Sequence, residues 1–120
     1  MNEKILTSLL KKIDPEIAHK IAIFALKYNF NRKVHISASK LLKTEISGIE
    51  LNHPVGMSAG FDKNAEALKG LMNIGFSFVE IGAVTPIAQK GNRKPRVHRL
   101  LEEKGIINRL GFNNLGMSRV

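Results

Sequence analysis

The middle of the chain decides the fold, and its key stretch reads Pro54-Val55-Gly56-Met57-Ser58-Ala59-Gly60-Phe61-Asp62-Lys63-Asn64. Pro54–Gly60 is typical of a short buried strand that ends in a glycine turn. From Asn64 to Ile74 apolar residues repeat at helical spacing, and Gly75 is placed to close that helix. Phe76–Ile81 has the pattern of a second strand. The alternation of strand, helix and strand predicts an α/β fold with parallel strands.

Two amphipathic helices are predicted ahead of this stretch. Residues 3–13 place isoleucines and leucines three and four positions apart along one helix face. Asp14 is suited to cap a following helix, whose predicted range is Pro15–Tyr28, with proline at the favoured first position. The Lys- and Ser-rich segment Arg32–Lys43 reads as a short basic helix or a linker.

Hairpins are predicted on both sides of the central stretch. Gly48–Leu51 fits one arm of a small hairpin. Arg96–Leu100 and Gly105–Arg109 flank a polar segment and fit the two arms of a second hairpin, which is followed by a polar, glycine-rich turn. The change in character along the chain predicts two parts, a helical segment at 1–46 and a β/α segment at 47–120.

Composition and charge limit the classes of function. The chain has 120 residues, no cysteine and a net charge of +9. The missing cysteine excludes disulfides and cysteine-based zinc sites, and the four histidines lack metal-ligand spacing, so no metal site is expected. The charge favours a solvated basic surface or contact with anionic lipid, and nucleic acid is not expected because no RNA- or DNA-binding signature is present. The longest apolar run, Ile21–Leu26, is far shorter than the ~20 residues that span a bilayer.

Two clusters of polar residues follow predicted strands. Ala59 and Gly60 lie where a strand ends, so a flat ring is able to approach the backbone closely, and Lys63 offers a cation to an anionic ligand. The alternative is an ordinary strand-to-helix turn with an Asp62–Lys63 surface pair. The second cluster is Asn108–Asn114, whose amides offer donors and acceptors to the edge of a heterocycle. Its alternative is a simple polar turn.

Five blocks of the sequence resemble the class 2, quinone-dependent dihydroorotate dehydrogenases. The blocks occur in the order typical of that family, and they cover nearly the whole chain. They are Asp14-Pro15-Glu16 with Ala18-His19; Pro54-Val55-Gly56 with Ser58-Ala59-Gly60-Phe61-Asp62-Lys63; Gly75-Phe76 with Val79-Glu80-Ile81-Gly82 and Val84-Thr85-Pro86; Gln89 with Gly91-Asn92, Pro95-Arg96-Val97 and Arg99-Leu100; and Ile107-Asn108-Arg109 with Gly111-Phe112-Asn113. The first block and the leading helix pair are typical of the quinone-using class.

The resemblance implies an FMN-dependent (β/α)8 TIM barrel that oxidises dihydroorotate to orotate in pyrimidine biosynthesis and passes the electrons to a membrane quinone. It implies that the segment against FMN comprises Ala59, Gly60, Phe61, Asp62, Lys63 and Ala83. It implies substrate contacts from Lys63, Asn108, Arg109, Leu110, Gly111 and Phe112. It implies a quinone entrance lined by His19 and Arg99. At Ala83 the sequence departs from the family, which carries a hydroxyl residue there.

The same resemblance implies that the chain carries only the N-terminal portion of such an enzyme. A (β/α)8 barrel needs about 250 residues, and the catalytic serine, later asparagines and phosphate-binding loops of the family match nothing in residues 1–120. The expectation is a truncated barrel that is inactive alone. The alternative is a membrane-surface or interaction module, whose helix pair makes a peripheral contact on the cytoplasmic face of a membrane.

Overall fold

The computed structural model describes residues 3–28, 30, 34 and 39–120. Most of the segment for which a basic helix or a linker is predicted, Arg32–Lys43, lies outside the described residues. Its last part forms a single 3-10 turn at Lys40–Leu42, with Ser39 as its cap. Of the helices in the described ranges, none is long and apolar enough to cross a membrane.

Two helices open the described chain, α1 at Glu3–Lys11 and α2 at Pro15–Lys27. Both predicted helices are confirmed, although each ends slightly before its predicted end. The Asp14 carboxylate accepts hydrogen bonds from the backbone N–H groups of Glu16 and Ile17, both at 2.9 Å. Asp14 therefore starts α2 in the way that the sequence predicts, by satisfying two of the free N–H groups of the first turn.

Both predicted hairpins are confirmed. Strand β1, Thr44–Ile46, pairs antiparallel with β2, Ile49–Leu51. The turn between them, Ser47-Gly48, has positive φ angles of 51° and 82°, which match the twist of a tight hairpin. Strand β3, Val97–Leu100, pairs antiparallel with β4, Gly105–Asn108. Local turn chemistry is thus enough to set both hairpins.

The two central apolar runs pair in parallel, as predicted, through a bridge between Met57 and Val79. The Met57 N–H donates to the carbonyl of Phe78 at 3.0 Å, and the Glu80 N–H donates to the carbonyl of Met57 at 2.9 Å. Gly56 lies against the Phe78 ring, where a Cβ would come within 2.4 Å of ring carbons. The predicted strands are present as short extended segments rather than long regular strands, because no third strand of the described residues pairs with them.

The helix between these runs is shorter than predicted. Helix α3 spans Leu68–Asn73, so the predicted range Asn64–Ile74 is wrong at its start. Ala65 has a φ of +56°, which is outside the helical region, and the Asp62 carboxylate binds the backbone N–H groups that precede the helix. Gly75 follows the end of α3 with a φ of +112°, as the sequence predicts.

A small core forms where α3 packs on α2. Leu71 and Ala67 are almost completely buried, and so is Ala18 on the facing side of α2. Gly70 lies at the closest approach of the two helices, where a Cβ would come within 2.2 Å of the backbone oxygen of Leu26. The missing side chain at Gly70 therefore sets how closely α2 and α3 pack.

We expect Gly70→Ala to destabilise the chain. Alanine favours a helix over glycine by about 1 kcal/mol, but the added methyl group meets the backbone of α2 rather than a flexible side chain. Overpacking of this kind costs about 1–3 kcal/mol. Urea unfolding followed by circular dichroism measures the net effect, with the exposed Lys69→Ala as the matched control on α3. A Gly70→Ala midpoint at or above that of the wild type would contradict the packing argument.

Candidate functional site

A cavity of about 560 Å³ lies between α2, the turn at residues 60–64 and the β3–β4 hairpin. Its wall brings together residues from motifs that are far apart in the sequence. The polar members include His19 from α2, Lys63 from the turn, Arg99 from β3 and Asn108 from β4. Much of the remaining wall is apolar and is formed by Ile23, Phe24, Phe61, Val97, Ile106 and Leu110.

The other predicted site residues divide between this wall and its surroundings. Those that also line the cavity are Gly60, Phe61, Asp62 and Leu110. Those that lie outside its wall are Ala59, Ala83, Arg109, Gly111 and Phe112. The segment of Ala83 is nevertheless tied to the turn, because the Gly60 N–H donates to the carbonyl of Gly82 at 2.8 Å.

Gly60 leaves an open approach to the backbone beside the cavity. Its φ is +101°, and no heavy atom outside its chain neighbours lies within 4 Å of the position that a Cβ would occupy. Only glycine adopts this backbone conformation without strain while keeping the approach clear. The residues present therefore fit a flat ring such as a flavin packed against residues 59–60.

Asp62 holds the shape of the turn. Its side chain is 1% exposed, and its two carboxylate oxygens accept hydrogen bonds from the backbone N–H groups of Glu66 at 2.9 Å and Ala67 at 2.7 Å. The alternative of an Asp62–Lys63 surface pair is therefore wrong, since Asp62 is buried. The Lys63 ammonium donates instead to the carbonyl of Gly60.

Two titratable side chains of the cavity wall, Lys63 and His19, have lowered pKa values. Burial lowers the pKa of Lys63, and the nearby charge of Arg96 lowers it further. Burial also lowers the pKa of His19 below its ordinary value near 6.5, with a second contribution from the charge of Lys63. The His19 ring packs edge-on against Phe61, with 5.0 Å between ring centroids. The ring also hydrogen-bonds to the backbone of Phe61, and a neutral imidazole has one N–H donor, so its other nitrogen is an acceptor.

Arg99 has a structural role that the sequence did not reveal. Its guanidinium donates to the carbonyls of Leu10 at 3.0 Å, Lys11 at 3.1 Å and Ile13 at 2.6 Å. The carbonyls of Leu10 and Lys11 are at the end of α1 and have no partner inside the helix, and that of Ile13 lies in the link to α2. Arg99 therefore joins the cavity wall to the junction between α1 and α2.

A buried ion pair between Arg96 and Glu16 was also missed by sequence reasoning. Arg96 is 7% exposed, and its Nε and Nη2 donate to the two carboxylate oxygens of Glu16 at 3.1 and 2.7 Å. Lys94 adds a second cation at 3.4 Å. The hydrogen bond from Arg96 is the main cause that lowers the pKa of Glu16 to about 2. The two residues are 80 positions apart, so no spacing rule could have paired them.

The asparagine-rich stretch is organised by a neighbouring loop. The Asn92 side chain donates to the carbonyl of Arg109 at 2.7 Å, and its backbone N–H donates to the carbonyl of Leu110 at 3.0 Å. Asn114 is buried and accepts from the backbone N–H of Thr85 at 3.1 Å. Asn113 lines the cavity, and its buried Oδ1 has no hydrogen-bond partner among the described residues. That oxygen is available to accept from a ligand.

Within the described ranges, no group of three His, Asp or Glu side chains is arranged to hold a metal ion.

A family model described as dihydroorotate dehydrogenase matches residues 41–120. Two solved structures of DHODH from Eimeria tenella are similar in fold. The ligand-free form is 42% identical, with a TM-score of 0.84 over 89% of this chain. The form in complex with ferulenol is 40% identical, with a TM-score of 0.86 over 97% of this chain.

Curated relatives agree with the family model. "Dihydroorotate dehydrogenase (quinone)" from Actinobacillus pleuropneumoniae serotype 5b is 46% identical over 92% of this chain and 34% of its own length. The protein of that name from Agrobacterium fabrum is 50% identical over 87% of this chain and 29% of its own. The mitochondrial protein of Mus musculus is 42% identical over 98% of this chain and 30% of its own. The chain thus spans about a third of the length of these relatives.

The Glu16 pair predicts an acid-sensitive contribution to stability. The pKa of Glu16 is about 2 in the folded chain against an ordinary 4.5, so its contribution is complete above about pH 5 and is lost as pH falls through the folded value. We expect the free energy of unfolding to fall between pH 5 and pH 2, and to fall less steeply in Glu16→Gln. Urea unfolding at several pH values across this range measures how steeply the free energy of unfolding falls in each protein. The exposed Glu102→Gln is the control, and equal slopes in all three proteins would refute the assignment.

Proposed function

The chain belongs to the dihydroorotate dehydrogenase family, and on that premise we propose that it supplies the helix pair and the first βαβ unit of a flavin-dependent (β/α)8 barrel. In this proposal residues 1–46 form the quinone-entrance segment and residues 47–120 begin the flavin-binding barrel. The complete enzyme oxidises dihydroorotate to orotate and reduces a quinone. The parallel pairing of Met57 with Val79 and the likeness to whole DHODH structures support this placement.

One wall of the flavin site comes from this chain. Ala59 and Gly60 form the open backbone face, and Lys63 supplies a cation beside it. FMN, when bound, supplies the acceptor for the hydride of dihydroorotate. At Ala83 the chain offers no hydroxyl group, so contacts from this position come from its backbone. The substrate lies between Lys63 and the Asn108–Phe112 stretch, where the side-chain amide of Asn108 pairs with the edge of a pyrimidine ring.

The part of the cavity that α2 and Arg99 line is the proposed quinone site. Its apolar wall, with the His19 ring beside it, suits a hydrophobic ring and tail, while Arg99 offers N–H donors to quinone carbonyls. The observation that carries the proposal is the position of one turn, residues 60–64. Gly60 and Lys63 line the cavity, and Gly60 also leaves open the backbone face that suits a flat ring. Electrons therefore have only the thickness of this turn to cross.

A second candidate function is peripheral membrane contact by the helix pair. Large apolar side chains of the helix pair and its junction are exposed, at Leu9, Ile13, Ile17 and Ile21, and so are Phe24 and Tyr28, which also line the cavity. A helix of this kind lies in the interface of a bilayer rather than across it. Basic residues nearby add attraction to anionic lipid, worth about 1 kcal/mol each. This contact would put the chain on the cytoplasmic face of a membrane, where its quinone resides.

The 120-residue chain alone is expected to be inactive. With added FMN, dihydroorotate and quinone it should form no orotate, and it should bind FMN more weakly than micromolar, because it supplies one wall of the site and no general base in the family's position. Such a base contributes roughly 100- to 10,000-fold. Orotate absorbance and flavin fluorescence quenching measure the two quantities. Turnover, or micromolar flavin affinity, would show that the chain builds a complete site.

A chimera tests the proposed function directly. Residues 1–120 replace the matching N-terminal third of the Actinobacillus relative, and we expect quinone-dependent orotate formation. Lys63→Ala in this chimera should reduce kcat/KM by about 100-fold or more, since it removes a charged donor at the substrate. The control is Lys69→Ala, an exposed lysine on α3. A flavin-loaded chimera without activity, or equal losses in both variants, would contradict the proposal.

Membrane contact by the helix pair predicts binding to anionic vesicles. The full chain should co-sediment with anionic but not with neutral liposomes, and a chain starting at Arg32 should not. Ile21→Glu should weaken binding about tenfold, because burying an isoleucine is worth about 1.5–3 kcal/mol. Ile107→Glu, at an exposed position on β4, is the matched control. If both variants sediment like the wild type, the helix pair does not bind membranes.

A further inference from the structure

The side chain of Arg96 connects three segments of the chain. It is buried, and four of its N–H groups have acceptors. Nε and Nη2 donate to the Glu16 carboxylate, and Nη1 donates to the carbonyls of Lys90 at 2.8 Å and Asn92 at 3.1 Å. A buried guanidinium is stable only when its donors are satisfied in this way. The burial of the charged Arg96 side chain is therefore made possible by acceptors from α2 and from the loop at residues 90–92 together.

On one side, this contact fixes the position of α2. Glu16 is in the first turn of α2, and His19 follows one turn later in the wall of the cavity. A two-point fork between guanidinium and carboxylate restricts both distance and rotation. The position of His19 relative to Lys63 is therefore set partly by Arg96, which is not among the residues that line the cavity.

On the other side, the same residue supports the asparagine-rich stretch. Asn92, whose carbonyl binds Arg96, donates to the carbonyls of Arg109 and Leu110. The backbone N–H of Arg109 donates to the carbonyl of Arg96 itself at 2.8 Å. Gly91 packs so closely that a Cβ would lie 2.2 Å from the Leu110 oxygen and 2.8 Å from Nη1 of Arg96. The position of residues 109–110 therefore depends on that of Arg96, both directly and through the loop.

We propose that Arg96 is a positioning residue that holds the quinone cavity and the substrate-binding stretch in one arrangement, acting through Glu16 and through the loop at residues 90–92. The inference rests on the proposed function for the identity of the two sites, while the coupling itself rests on the hydrogen bonds of Arg96. Lysine cannot replace it, because an ammonium has no planar fork with which to bind the carboxylate and two carbonyls at once.

Arg96 makes two sets of contacts, one with Glu16 on α2 and one with the loop at residues 90–92, and these are its two arms. Two variants of the full chain separate them. Glu16→Gln removes the charged acceptor on α2 but leaves the bonds from Arg96 to the loop. Arg96→Lys removes the fork from both sides. The control is Glu66→Gln, which breaks the ion pair of Lys27 with Glu66, at 3.3 Å between α2 and the β/α segment, and leaves the contacts of Glu16 intact. A general loss of folding would affect both arms equally in either variant.

Spin labels and hydrogen exchange report on each arm independently of any ligand. The chain has no cysteine, so labels on Ile21→Cys and Glu103→Cys report the distance from α2 to the hairpin tip. Amide exchange at Asn92 and Arg109 reports on the loop. Glu16→Gln should broaden the distance distribution and leave those amides protected. Arg96→Lys should broaden it and also accelerate their exchange by at least about tenfold, and Glu66→Gln should change neither.

The same variants test the link to quinone. Affinity for a short-chain benzoquinone, measured by titration, should fall about tenfold in Glu16→Gln and Arg96→Lys. It should stay unchanged in Glu80→Gln, an exposed residue outside the cavity wall. The proposal would be overturned if Glu16→Gln kept the narrow distance distribution of the wild type. It would also be overturned if the amides of Asn92 and Arg109 exchanged as fast in Glu16→Gln as in Arg96→Lys. A wild-type chain that binds no quinone would refute the assigned cavity ligand, and the distances and exchange rates would still decide the role of Arg96.

Discussion

The arrangement of this chain depends on the need to satisfy one buried positive charge. Arg96 lies out of water, where an unpaired guanidinium would cost several kcal/mol, and its donors are met by a carboxylate on α2 and by carbonyls of the loop beside it. That requirement brings together segments 80 residues apart. Arg99 adds a second attachment at the end of α1. The helix pair is therefore anchored at its junction, directly above the cavity.

A second buried charge shapes the floor of the cavity. The Asp62 carboxylate takes the backbone N–H groups that come before α3, which delays the start of that helix and leaves Gly60 in an open conformation. The turn is consequently thin, with backbone rather than side chains on its open face. A thin wall beside an apolar cavity suits the proposed relay of electrons from flavin to quinone.

The chain buries few large apolar side chains of its own. Leu71 is the largest apolar side chain that is fully buried among the described residues, whereas many isoleucines, leucines and phenylalanines remain exposed. Some of that apolar surface lies on the helix pair, and some lies beside the short parallel pair of Met57 and Val79. This distribution agrees with a chain that spans about a third of the length of its relatives, because most of a barrel core is built from strands contributed by the whole length.

The sequence by itself determined the local elements and the family. Helical periodicity, Asp14 before Pro15 and the two turn segments act over a few residues, so the helix pair and both hairpins were predictable, and five ordered motif blocks identified the family. Tertiary structure alone decided the late start of α3, the burial of Asp62, the carbonyls bound by Arg99 and the pairing of Arg96 with Glu16. Those features depend on which distant groups come into contact when charged side chains are buried. Residue spacing along the chain carries no record of that outcome.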